Sequence, residues 1–244
     1  MLKEEYREKL YRDYITWVQG TPGIEPKLSA IESRFPIWDA YYQEHLPRDR
    51  SAAILDIGCG SGDFIHYLRS SGYRNSSGID ISEEQISAAH RLGIPGVSRG
   101  DFRRLLESSP AGYNVVIGRD VIEHFSKEEV LDILNLIYRS LMPGGVCIIK
   151  TANAESPFWP RYRFGDFTHE SSFTRTSIET VLRLTGFRTV ASYPVPPVSG
   201  YSWRSAIRSI LWKGIESVWR ICLLIENGDA GGIFTGNLIT VAFK

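Results

Sequence analysis

Three cysteines, no excess of either charge and no long apolar run set the first limits on this 244-residue chain. Cys59, Cys147 and Cys222 are scattered and odd in number. Neither a disulfide framework nor a zinc-ligand spacing can be built from them, which suits a reducing compartment. Lys and Arg total 28, as do Asp and Glu, so the formal net charge is zero. A general nucleic-acid binder carries a basic excess, so nucleic acid is not the expected partner. No stretch approaches the ~18 apolar residues that a bilayer span requires. The opening MLKEEYREKLYRDY is charged throughout and has no apolar h-region, so no secretory signal is expected and the expected location is cytoplasmic. Internal repeats and low-complexity stretches are also lacking. What remains, 43% apolar and 23% charged residues, is the composition of an ordinary globular domain with enough chain for one full core.

Residues 1–50, rich in aromatics and charge, are expected to form a helical cap over a domain running from 51 to 244. In that domain strand-like and helix-like segments alternate. AAILDIG (52–58) reads as a buried strand, DFIHYLRSSG (63–72) as a helix closed by Gly72, and SSGID (76–80) as the next strand. SEEQISAAHRLG (82–93) and SKEEVLDILNLIYRSL (126–141) open on Ser-x-x-Gln and Ser-x-x-Glu capping signals. Further strands are expected near Gly96–Arg99, at YNVVIG (113–118), PGGVCIIKTA (143–152), FRTVASYPV (187–195) and NLITVAFK (237–244), with a helix at TSIETVLRLTG (176–186). The pattern predicts an α/β, three-layer, Rossmann-like fold around a seven-stranded, mainly parallel sheet covered on both faces.

The first strand runs into ILDIGCGSGDF (54–64), an acid followed by glycines at 58, 60 and 62. Bare backbone at that place lets a ligand approach the main chain and meet the amides of a helix N-terminus. A triphosphate loop would need G-x-x-x-x-G-K-[ST], and no lysine is present. A dinucleotide fold prefers G-x-G-x-x-G, whereas here the third glycine comes one residue early and an acid precedes the turn. Asp56 would sit badly beside a pyrophosphate and well beside a cationic or amine-bearing ligand.

Asp-x-Gly-x-Gly-x-Gly resembles motif I of the class I S-adenosylmethionine-dependent methyltransferases, and four further stretches agree in order: GIDIS, GDF, YNVVIGRDVIEHF and LMPGGVCIIKT. The resemblance spans about residues 50–195. It implies S-adenosylmethionine as cofactor and an antiparallel last strand in the sheet. It also implies a cofactor site of Asp56, Gly58, Cys59, Gly60, Gly62, Asp80, Ile81, Asp101, Phe102 and Arg119. Asp80 would bind both ribose hydroxyls, Asp101 the exocyclic amine of adenine and Phe102 its face. A nicotinamide-dependent dehydrogenase and a non-catalytic S-adenosylmethionine-binding scaffold are the rival readings.

Methyl transfer to a hydroxyl needs alignment and a proton acceptor. His124 and His169 are the candidate bases, with Glu123 beside them. The spacing D-V-I-E-H also resembles the metal-binding acid-x-x-Glu-His of ubiquinone-biosynthesis and small-RNA O-methyltransferases. That resemblance implies Asp120, Glu123, His124 and His169 as an alternative set of ligands for a divalent metal, with Asp shortening the reach of the first. Residues 153–175 read as an acceptor lid in which Arg161, Arg163 and Arg175 would grip a phosphate or carboxylate. This stretch resembles loops of bacterial surface-polysaccharide methyltransferases, implying a small-molecule or glycan acceptor. Residues 199–236 form a helical insertion before the final strand, in which 201–226 is amphipathic and basic. It would pack on the domain or a second subunit, wall the acceptor pocket, or make a peripheral membrane contact.

Overall fold

Seven strands pair in the order β3-β2-β1-β4-β5-β7-β6. They are β1 (Ile54–Ile57), β2 (Ser76–Asp80), β3 (Val97–Arg99), β4 (Tyr113–Arg119), β5 (Leu141–Ala152), β6 (Thr189–Pro194) and β7 (Asn237–Phe243). All pairings are parallel except those of β7, which runs antiparallel to both β5 and β6. The expected fold and its antiparallel last strand are both present. The computed structural model describes residues 9–11, 15–16, 27–200 and 202–244. Most of the expected cap before residue 27 therefore lies outside the described residues. Its remainder holds the short helices α1 (Leu28–Glu32) and α2 (Phe35–Tyr42).

Helices cover the sheet on both faces: α3 (Asp63–Ser70), α4 (Glu83–Arg91), α5 (Phe102–Glu107), α6 (Lys127–Ser140) and α8 (Arg175–Leu184). A short α7 (Trp159–Gly165) follows β5, and the 25-residue α9 (Trp203–Asn227) fills the expected insertion. Local chemistry explains several boundaries. The Ser126 side chain accepts from the Glu129 amide while the Glu129 carboxylate accepts from the Ser126 amide, a reciprocal cap that starts α6. Asp101 caps α5 by accepting from the Arg103 amide.

The alternation of strand side chains divides the core into two layers. On one face Leu55, Ile57 and Val116 pack with Ile133, Leu134 and Ile137 of α6 and with Ile178 and Leu182 of α8. On the other, Ile54, Val115 and Ile117 pack with Trp38 and Tyr42 of α2 and with Phe64 and Leu68 of α3. The same period puts Asp56 and Arg119 on this second face, among the aromatic rings.

Between β1 and α3 the chain turns at Gly62, in the left-handed region at φ 75°. A Cβ there would fall 2.9 Å from Val97 Cγ1 and 3.2 Å from Ile94 Cγ2. Gly62→Ala is therefore expected to cost about 1–3 kcal/mol from overpacking, before any backbone strain. Urea unfolding that shows no loss would refute this packing account.

Candidate active site

Parallel strands β1, β2 and β4 all end at one sheet edge, and the strand order reverses between β1 and β4. Such a switch point opens a crevice beyond the carboxyl ends. Here it is a cleft of about 800 Å³ lined by Gly58, Cys59, Gly60, Asp80, Ile81, Asp101, Phe102, Arg119, Asp120 and His124, among others. Its floor is the glycine turn, tied to β2 by the Cys59 amide, which donates to the Ile79 carbonyl at 3.1 Å, and by the Asp80 carboxylate. One oxygen of Asp80 accepts from the Gly60 amide at 2.9 Å and the other from the Ser82 amide at 2.8 Å. A carboxylate offers about four lone-pair sites, so this acid can brace the turn and still accept from a ligand hydroxyl. Burial raises its pKa above the ordinary carboxylate value. At Gly58 a Cβ would meet Val121 Cγ2 at 2.6 Å, so the floor is bare because the next loop crosses close beneath it.

Behind the floor lies a buried ion pair. Asp56, fully inaccessible, faces Arg119 with 3.6 Å between Oδ2 and Nη2. The Arg119 guanidinium stacks 4.2 Å from the Phe64 ring centroid and 5.7 Å from that of Trp38. Burial pushes Asp56 up to about 6 while Arg119 pulls it down. Neither Asp56 oxygen has a hydrogen-bond partner among the described residues.

The two histidines expected as bases are brought together. Their rings lie edge to face, 4.6 Å between centroids. His124 sits in a 3-10 turn (Ile122–His124) just after β4. Its Nδ1 lies 2.8 Å from Thr168 Oγ1, and Thr168 Oγ1 lies 2.6 Å from Asp166 Oδ1. A carboxylate only accepts, so the Thr168 hydroxyl donates its one proton to Asp166 and receives the Nδ1 proton of His124. The imidazole is thereby held as the tautomer with an unprotonated Nε2. Burial and the neighbouring His169 push its pKa down to about 4, so it is neutral near pH 7. His169 donates from Nδ1 to the Tyr162 carbonyl at 2.8 Å. From the N-terminal cap, Tyr11 meets His124 edge to face at 5.8 Å.

Other expected site residues fall elsewhere. Asp56 and Gly62 do not line the cleft: strand alternation turns Asp56 under the cap, and Gly62 serves the turn. Glu123 is buried away from the cleft and accepts from Thr151 Oγ1 at 2.9 Å, while its carbonyl accepts from the amides of Glu170 and Ser171. It anchors the segment after β5. Asp120, at φ 57°, is ion-paired with Lys150, whose Nζ lies 2.7 Å from Oδ1. The expected ligand set of Asp120, Glu123, His124 and His169 is thus not assembled. Among the described residues, the group with ligand spacing is His124, Asp166 and His169, whose donor atoms lie within 4.8 Å of one another. Of the three loop arginines, Arg163 donates to the carbonyls of His169 and Glu170, and Arg175 pairs with Glu179 at 3.4 Å. Sequence reasoning missed Asp166 and Thr168. The available signal was D-x-T-H, since an Asp that caps the amide two residues on makes a local turn.

The family described as "Methyltransferase domain" matches residues 31–192. A ubiquinone biosynthesis O-methyltransferase of Rickettsia akari is 33% identical over 118 residues, 47% of this chain and 44% of that protein. The match therefore spans less than half the length of that curated relative. A crystal structure of a SAM-dependent methyltransferase from Archaeoglobus fulgidus superposes with a TM-score of 0.64 at 22% identity, covering 89% of this chain and 98% of that one. Phosphoethanolamine N-methyltransferase 2 of Haemonchus contortus, solved with S-adenosyl-L-methionine, superposes at 0.61 and 19% identity, covering 96% and 60%.

Glu123 supplies a pH test of its structural role. Burial, with the Asp120 charge adding to it, pushes its carboxyl from 4.5 up to about 8. Over that window the folded chain holds a proton the unfolded chain has released, so this group costs stability as pH rises. Glu123→Gln cannot ionise and is expected to gain on the wild type progressively from pH 4.5 to about 8. Denaturation midpoints whose difference stays constant with pH would contradict this.

Proposed function

Because the chain belongs to the methyltransferase-domain family, we propose that it transfers the methyl group of S-adenosylmethionine to a hydroxyl oxygen of a small molecule or glycan. One observation carries the choice of oxygen: the Asp166–Thr168–His124 chain, which presents a neutral imidazole nitrogen as proton acceptor at the cleft. Relatives named as O-methyltransferases, acting in ubiquinone biosynthesis and on malonyl-[acyl-carrier protein], support the same reading. The aromatic and basic lid at 153–175, with its resemblance to glycan-modifying enzymes, supports a glycan within the acceptor class.

The residues present fit the cofactor. Gly58, Cys59 and Gly60 offer a floor without side-chain obstruction, and the Asp80 lone pairs suit two ribose hydroxyls. Asp101 and Phe102 suit the amine edge and face of adenine, with exposed Ile81 adding apolar surface. Arg119 lines the floor with a guanidinium that suits the carboxylate of the cofactor, and buried Asp56 behind it holds that cation in place. When bound, S-adenosylmethionine would supply a methyl carbon on a sulfonium sulfur, open to in-line attack by an acceptor oxygen as the carbon–sulfur bond breaks and the neutral thioether leaves.

His124 takes the acceptor's proton on Nε2 as the carbon–oxygen bond forms, and Thr168 and Asp166 hold the ring and steady the charge it gains. A pKa near 4 makes His124 a weak base, but the electrophile is already activated. Proton removal need only accompany bond formation. Alignment by the cleft walls contributes on the order of 7–11 kcal/mol, and the base about 10²–10⁴-fold more. His169 orients the His124 ring edge-on. The ligand spacing of His124, Asp166 and His169 supports a second reading, in which a divalent cation there lowers the pKa of the acceptor hydroxyl. Activity that survives exhaustive chelation removes that reading.

Titration calorimetry is expected to show binding of S-adenosylmethionine and of its demethylated product, weakened at least about tenfold in Asp80→Ala by loss of two charge-assisted hydrogen bonds. With labelled donor and an extract-derived hydroxyl acceptor, His124→Gln should lower kcat by about 10²–10⁴-fold while leaving donor affinity intact. No heat with either compound would overturn the cofactor site, and undiminished turnover in His124→Gln would overturn the base.

A further inference from the structure

α9 carries an amphipathic pattern turned inside out. Trp203, Ile207 and Ile210, then beyond Gly214 Val218, Ile221 and Ile225, recur at steps of three and four residues and form one stripe, and each is between 47 and 81% exposed. The opposite side, through Ser205, Trp212, Glu216, Trp219 and Leu223, is the buried or half-buried one. There Arg220 is tied to Glu216 at 2.6 Å and to the Ala230 carbonyl at 2.8 Å. A surface helix ordinarily buries its apolar stripe. One that docks through its mixed face and shows the stripe to water marks an interaction surface.

Charge and topology narrow the occupant. Arg204, Arg208 and Lys213 are exposed on the borders of the stripe, whereas the only acids of the helix are Glu216, committed to Arg220, and Glu226 near its end. Pairing with a second copy would set three cations against one available carboxylate. Anionic headgroups above an acyl layer satisfy both the stripe and its borders. No described helix is long and apolar enough to cross a membrane, so the helix would lie along the surface. Register fixes where that surface sits. β7 begins at Asn237 opposite Ala152, the end of β5, and β6 ends at Pro194 opposite Leu238. The β6–β7 connection that contains α9 therefore leaves and re-enters the sheet at the same carboxyl edge as the cleft. Exposed Phe158 and Phe164 belong to the segment that leaves β5 at this edge.

We propose that the outward stripe of α9 seats the protein on an anionic phospholipid surface, with the cleft at the same end of the molecule as the bilayer. This seating stands apart from the methyl-transfer reading, and its test needs no turnover. The full chain is incubated with phosphatidylcholine vesicles with or without phosphatidylserine, and partition is read by sedimentation and by quenching of tryptophan fluorescence with brominated acyl chains. Salt-sensitive partition into the phosphatidylserine vesicles, with quenching, is expected. Ile210→Glu/Ile221→Glu should lose it by more than about tenfold, and Arg204→Glu/Arg208→Glu by roughly fivefold per residue. Circular dichroism melts verify folding, and the milder Ile210→Ser/Ile221→Ser replaces the first variant should it unfold. Absence of wild-type partition overturns the proposal, as does partition indifferent to the stripe variants. A dimer in light scattering that those variants dissociate, without vesicle binding, assigns the stripe to a second copy instead.

Discussion

The buried pair of Asp56 and Arg119 joins the parts of this molecule that would otherwise be independent. Adjacent strands β1 and β4 supply one partner each, and the alternation of the sheet turns both towards the face covered by α2 and α3. Arg119 reaches the cleft on one side and the rings of Phe64 and Trp38 on the other. Two charges removed from water are tolerable only together, and losing one leaves the other unpaired at a cost of about 3–5 kcal/mol. The helices before β1 therefore belong to the cleft as much as to the core, since they complete the cage around the cation at its floor.

A second polarity operates a few residues further on. Burial favours the protonated form of Glu123 and the neutral form of His124, while Thr168 bonds hold Asp166 below the ordinary carboxylate range. Successive residues in one turn thus divide their labour by direction. Glu123 points inward to Thr151 and pins the segment after β5, and His124 points to the cleft. The segment is fastened beneath one residue and supplies the partner of the next.

Much of this could be read from the chain. The glycine turn, the capping signals at Ser126 and Glu129 and the period-two apolar runs express local rules that tertiary packing did not override. Asp80 and Arg119 line the cleft because each closes a strand, and Asp101 and Phe102 because they start the helix just beyond β3. Asp56 lies only two residues before Gly58, yet a side chain's face depends on its position in the pleat, and the pleat turns this acid under the cap. For Glu123 the residue type suggested chemistry, while burial decided otherwise. Asp166 and Thr168 gain their meaning from a contact with His124 more than forty positions away, which no local spacing reveals. α5 and α7, six and seven residues long, are too short for a helical period to show.

The placement of the β6–β7 connection at the carboxyl edge alters the kinetics to be expected of an enzyme seated as proposed. An acceptor dissolved in the bilayer would reach such a protein by lateral diffusion, so saturation would follow its mole fraction among the lipids and not its molarity in the suspension. Diluting the acceptor with inert lipid would then slow turnover at constant total acceptor, while the water-borne methyl donor would obey ordinary bulk concentration.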